Sequence, residues 1–94
     1  MTEQTEPARV RSARAAAELA AIVAALGGLS CTSRSPWFRP WEVAARAEAA
    51  LSTPMVQRRL LAAGLAEPST KRGVWAVTPA GLDAIEAHRA GRAA

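Results

Sequence analysis

The chain is expected to be a mainly α-helical domain carrying one small β-hairpin, in the order helix, helix, helix, hairpin, helix. Three observations predict it. Apolar residues recur at helical spacing in alanine-rich stretches, as Leu19, Ile22, Val23 and Leu26 and again as Val56, Leu60 and Ala63. Gly64 then follows the last of these, where a residue tolerant of left-handed dihedrals ends a helix. Beyond it, residues 65–67 and 74–77 flank a Pro-Ser-Thr-Lys-Arg-Gly tip, and Trp75 and Val77 share one strand face. Finally, Thr78-Pro79 opens a closing helix, with Thr78 as N-cap and Pro79 at the first helical position, where its missing N–H is harmless.

Residues 1–12 are polar, contain Pro7 and lack an apolar period, which predicts a disordered arm ahead of a domain spanning 13–91. The first helix is expected over 13–26 and stops at Gly27-Gly28. The Ser/Thr-rich connector 29–36 has room for a short first strand. Pro40 suits the start of a second helix running through Trp41, Val43, Ala44 and Ala47 to about residue 51. Ser52-Thr53-Pro54 makes a turn in which either hydroxyl can cap a third helix over 53–63, with Pro54 in its first turn. The fourth helix should cover 79–90 and bury Leu82 and Ile85.

Ninety-four residues suffice for one core and not two. Half of the chain is apolar, but much of that half is alanine, so large core-filling side chains are few. The lone Cys31 cannot close an intrachain disulfide, and no CxxC or HxxxH spacing supports a metal site. Glu18 interrupts the alanine run and the helix is amphipathic, which argues against a signal peptide or a membrane span and for an intracellular, cytoplasmic protein. One His, no Tyr and no converging carboxylates leave nothing from which to build an active site, so neither an enzyme nor a cofactor is expected. His88 should be a surface or interface residue, while Glu42, Glu48, Asp83 and Glu86 fit ordinary solvated helix faces.

The formal charge of +4 is unevenly placed. Residues 1–33 and 74–94 are each balanced. Residues 34–73 hold seven cations, Arg34, Arg39, Arg46, Arg58, Arg59, Lys71 and Arg72, against three carboxylates, and so carry the whole excess.

A helix, a hairpin with a basic tip and a closing helix are the parts of a winged helix. Residues 56–82 resemble winged helix-turn-helix DNA-binding domains, in which a helix ending in Leu60, Ala63-Gly64-Leu65 leads into a wing and then into Trp75-Ala76-Val77-Thr78-Pro79 and Gly81. Within that group, Ala63-Gly64-Leu65, Lys71-Arg72-Gly73-Val74-Trp75, Thr78 and Gly81 look like the amino-terminal domain of Mrr-type restriction systems. The resemblance covers 27 of 94 residues and does not include a nuclease domain.

With Val56, Leu60 and Ala63 facing the core, Met55, Arg58, Arg59 and Ala62 should point outward, with Gln57 near the boundary. That is the face that enters a major groove in such domains. Arg58 or Arg59 suits guanine, Gln57 suits adenine, and Thr53 with the helix N-terminus suits a phosphate, although phosphate contact is the commoner use of arginine. Lys71 and Arg72 at the hairpin tip suit the adjacent backbone or a narrow minor groove, against the plainer reading of a solvated turn. Of Trp37, Phe38 and Trp41, at least two should be core and one is left for a partner or an unstacked base. Trp75 should be core, with an acceptor for its indole N–H.

The expected function is double-stranded DNA binding by a small transcriptional regulator, nucleoid-associated or phage-encoded. A homodimer is expected to form through the alanine-rich helices 1 and 4. The alternatives are a protein-interaction winged helix and, as the Mrr-type resemblance implies, a DNA-recognition subunit of a restriction or phage-defence system.

Overall fold

The computed structural model describes residues 7–93. Its elements are α1 (Ala8–Gly27), β1 (Trp37–Phe38), α2 (Pro40–Arg46), α3 (Thr53–Ala63), β2 (Ala66–Pro68), β3 (Trp75–Val77) and α4 (Pro79–Ala93). The fold is therefore mainly helical with a small three-stranded antiparallel sheet, an arrangement compatible with a winged helix. Strand β3 lies centrally in the order β1-β3-β2. Trp37 pairs with Ala76 and Phe38 with Trp75 on one side of it, while Ala66 pairs with Val77 and Pro68 with Trp75 on the other. The first strand thus falls just after the connector in which it was expected.

α1 begins at Ala8, earlier than its apolar period indicates. Residues 8–14 are exposed, and only Ile22, Val23, Ala25 and Leu26 are buried. Alanine and arginine are strong helix formers, so the helix extends backward from its packed half at one hydrogen bond per residue without needing an apolar face. Pro7 precedes the first turn, and its carbonyl accepts from the Val10 and Arg11 N–H groups. Residues 1–6 of the expected arm lie outside the described residues.

α2 is shorter than expected and ends at Arg46. The chain turns extended at Ala47 (ψ 135°), and Ala47 and Leu51 then pack against the core. Tertiary contact thus overrides the helix propensity of the Ala-Glu-Ala-Ala stretch.

α3 matches its expected bounds. Ser52, rather than Thr53, is the cap: its Oγ accepts from the Met55 N–H at 3.3 Å, which puts Thr53 at the first helical position. Gly64 ends the helix at φ 70°, in the left-handed region. Gly64 N–H donates to the Leu61 carbonyl and Leu65 N–H to the Leu60 carbonyl at 3.0 Å, the paired bonds of a Schellman motif.

The core draws on every helix and on all three strands, with Ile22, Leu26, Val43, Val56 and Leu60 at its centre and Phe38, Ala66, Trp75, Val77 and Ile85 around them. Trp75 is buried as expected, but its indole N–H has no protein acceptor among the described residues. α1 packs along α4 within the same chain, and Arg89 Nη2 donates to the Gly27 carbonyl at 2.6 Å across that seam. The helix pair assigned from the sequence to an interface between chains is therefore packed inside one chain.

Candidate nucleic-acid interface

Val56 and Leu60, four residues apart, fix the inward face of α3. The opposite side presents Pro54, Arg58, Leu61 and Ala62, all exposed. Arg58 has no hydrogen-bond or ion-pair partner among the described residues. Leu61 is 52 % exposed in the same strip, a large apolar residue that the sequence reading passed over. It lies about 120° from the buried pair's mean direction only when the helix is drawn out as a wheel, about 100° per residue, and nothing in the residue types marks it as surface. Thr53, Met55 and Gln57 are half-buried on the flanks.

Arg59 departs from its expected place. Its Nε and Nη2 both donate to Glu18 Oε1, at 3.0 and 2.7 Å. Glu18 is on α1, so this arginine bridges two helices, with its side chain 34 % exposed and the carboxylate only 16 % exposed. The physical reason is angular. One residue beyond Arg58, the side chain swings about 100° toward the core-facing side of α3, where α1 crosses. Ala63 is corrected in the other direction, being exposed where the core was expected.

The hairpin loop, residues 69–74, is internally bonded. Ser69 Oγ donates to the Val74 carbonyl at 2.6 Å and accepts from the Lys71 N–H at 3.1 Å. Ser69 N–H reaches the same Val74 carbonyl at 3.0 Å, Val74 N–H returns to the Lys71 carbonyl, and Gly73 supplies the left-handed residue at φ 80°. Lys71 and Arg72 are thus held out from a fixed backbone. Both are exposed, and neither side chain has a partner among the described residues.

Arg39 joins them from another element. A Cβ placed on Gly73 would lie 3.9 Å from Arg39 Nη1, which puts this guanidinium against the loop. Arg39 entered the sequence reading only as one of seven clustered cations, because its neighbour in space is 34 residues away in sequence. Between β1 and the loop lies an open groove of about 440 Å³, lined by Trp37, Phe38, Arg39 and Glu42 together with the loop residues Thr70, Lys71 and Val74.

The aromatic cluster also departs from expectation. Phe38 alone is core, while Trp37 and Trp41 are each 57 % exposed. Strand alternation gives the reason for Trp37: Phe38 takes the inward face of β1, so its neighbour must face out. Trp41 follows from α2, where Pro40 and Val43 are the buried positions.

Among the described residues no helix is long and apolar enough to cross a membrane. His88 is half-buried where α4 meets α1, and its Nε2 is buried without a hydrogen-bond partner among the described residues. Burial raises the Cys31 thiol above its ordinary pKa, and the nearby Glu42 carboxylate adds to the effect. In comparisons with known proteins, the chain matches no family model, no curated protein and no solved structure.

Proposed function

We propose that this protein is a winged helix that binds double-stranded DNA, with α3 in the major groove and the hairpin loop on the adjacent backbone. The observation that carries the reading is the solvent face of α3. It presents an unpartnered Arg58 and leads directly, through Gly64, into a hairpin whose fixed tip holds out Lys71 and Arg72. Exposed cations on a rigid helix and a rigid turn suit phosphates, which supply most of the affinity of such interfaces. The resemblance of residues 56–82 to winged helix-turn-helix domains supports the same assignment. With Arg59 committed to Glu18, the contact set becomes Arg58, Gln57, Lys71 and Arg72, with Thr53 and Met55 at the helix start.

The test is fluorescence anisotropy with a random-sequence duplex at low and moderate salt. Wild-type protein should bind and weaken steeply as salt rises. Arg58→Ala should bind less tightly, and the slope of log affinity against log salt should flatten by about one unit. Absence of binding at low salt would sink the proposal.

A second reading is favoured by Leu61 and Trp41, large apolar side chains more than half exposed on α3 and α2. A domain of this shape using those residues would bind a protein partner instead. On that reading Leu61→Ser abolishes partner binding while the duplex goes unbound.

A further inference from the structure

We infer that the groove between β1 and the hairpin loop is a nucleotide site, in which Trp37 stacks on an unpaired base and Arg39 and Lys71 hold the adjoining phosphate. This goes beyond duplex binding, since no residue of α3 lines the groove.

Five features of the groove select that chemistry. Trp37 stands on an edge strand, 57 % exposed, in a chain with only four aromatic residues, and it lines the groove. An exposed indole suits a base because every base offers a π-face. Arg39 and Lys71 both line the groove, two cations from different parts of the fold, and neither side chain has a competing partner among the described residues. The backbone carrying Lys71 is pinned by Ser69 and Val74, so the cation is presented from a fixed base. Glu42 adds one carboxylate to the lining. As an anion it opposes the phosphate, and the two cations of the lining outnumber it. It accepts readily from the exocyclic amine of a base such as cytosine. The volume of about 440 Å³ falls within the usual range of small-ligand sites.

A free nucleotide and a nucleotide within a strand share this chemistry, and the experiment separates them. The intact protein is titrated by tryptophan fluorescence with deoxycytidine monophosphate, with a ten-nucleotide oligo(dC), and with a perfect duplex. The variants are Trp37→Ala, Lys71→Ala and Trp41→Ala, the last removing an equally exposed indole outside the groove. Thermal melts verify folding, which an exposed side chain should not disturb.

Oligo(dC) should quench emission, bind roughly tenfold more weakly to Trp37→Ala, lose affinity in Lys71→Ala and be unaffected by Trp41→Ala. Monophosphate binding with the same dependence would assign the site to free nucleotides. Binding of the oligomer alone would assign it to unpaired strand. Equal binding by Trp37→Ala and wild type, equal losses in Trp37→Ala and Trp41→Ala, or no binding of either ligand would overturn the inference. The duplex arm keeps the two readings apart. Arg58-dependent duplex binding without Trp37-dependent oligomer binding removes only the nucleotide site. The reverse result removes only the duplex proposal.

Discussion

Arg58 and Arg59 sit about 100° apart on α3, and that angle sends one to solvent and the other to Glu18. Their substitutions should therefore separate. Replacing Arg59 by Ala leaves a carboxylate that is only 16 % exposed without its cation. Because Arg59 itself is about one-third exposed, solvent screens the pair, and a cost of about 1 kcal/mol is appropriate rather than the larger figure for a fully buried pair. For a domain of this size that corresponds to a fall of about 4–8 °C in Tm. Arg58→Ala should leave Tm unchanged and act only on DNA. A differential scanning experiment on both variants checks the pair of expectations, and an unshifted Tm for Arg59→Ala would show that the bridge contributes nothing to folding. In the sequence both arginines carry the same outward-facing label, because the pattern of Val56 and Leu60 reveals the core side of α3 but not which neighbour crosses its flank.

At the scale of elements, the most informative junction is the one between α3, the sheet and α4. Thr78 Oγ1 accepts from the Gly81 N–H at 3.1 Å, capping α4, and donates to the Gly64 carbonyl at 2.7 Å, tying the end of α3 to the start of α4. Thr78 N–H donates to the Leu65 carbonyl at 2.9 Å. Gly81 completes the junction, because a Cβ there would run into the Leu65 carbonyl oxygen and the Val77 side chain. Gly81→Ala should accordingly displace α4 from the sheet and destabilise the fold by about 1–3 kcal/mol, through overpacking. Urea unfolding monitored by circular dichroism checks this, and an unchanged midpoint would mean that α4 shifts freely. This part of the chain was legible in the sequence because its instructions are local: a left-handed glycine, a Thr-Pro start and an alternating strand each act within a few residues. The length of α2 was not legible, since the stretch from Ala47 to Leu51 leaves the helix to satisfy a packing contact with distant core residues. The start of α1 was missed for the opposite reason. Helix propensity alone extends it, and propensity leaves no periodic trace.

The whole molecule rests on one small core, with leucines and alanines such as Leu19, Leu51, Leu82, Ala44 and Ala84 packed against it, so a single buried ionisable group can be read in global stability. Cys31 is buried, its Sγ lies 3.9 Å from the Trp37 carbonyl oxygen as a weak donor, and burial followed by the charge of Glu42 raises its pKa. The raised value means that the folded chain holds the thiol proton to higher pH than the unfolded chain does. Below the unfolded thiol's pKa, about 8.5, both states are protonated and the group contributes no pH dependence. Above it, the unfolded state ionises first and binds fewer protons than the native state, so unfolding becomes more favourable as pH rises. The stability of the wild type should therefore decline above about pH 8.5, by at most about 1.4 kcal/mol per pH unit, until the folded thiol itself ionises. Cys31→Ala deletes this term. It costs some packing at every pH, but its stability should fall less steeply over the same range. Urea midpoints of both proteins between pH 7 and 10 measure the difference, and parallel curves would mean that the thiol ionises alike in the folded and unfolded chains. The same burial keeps Cys31 from thiol reagents at neutral pH in the native state, so the rate at which it is labelled reports how often the core around it opens.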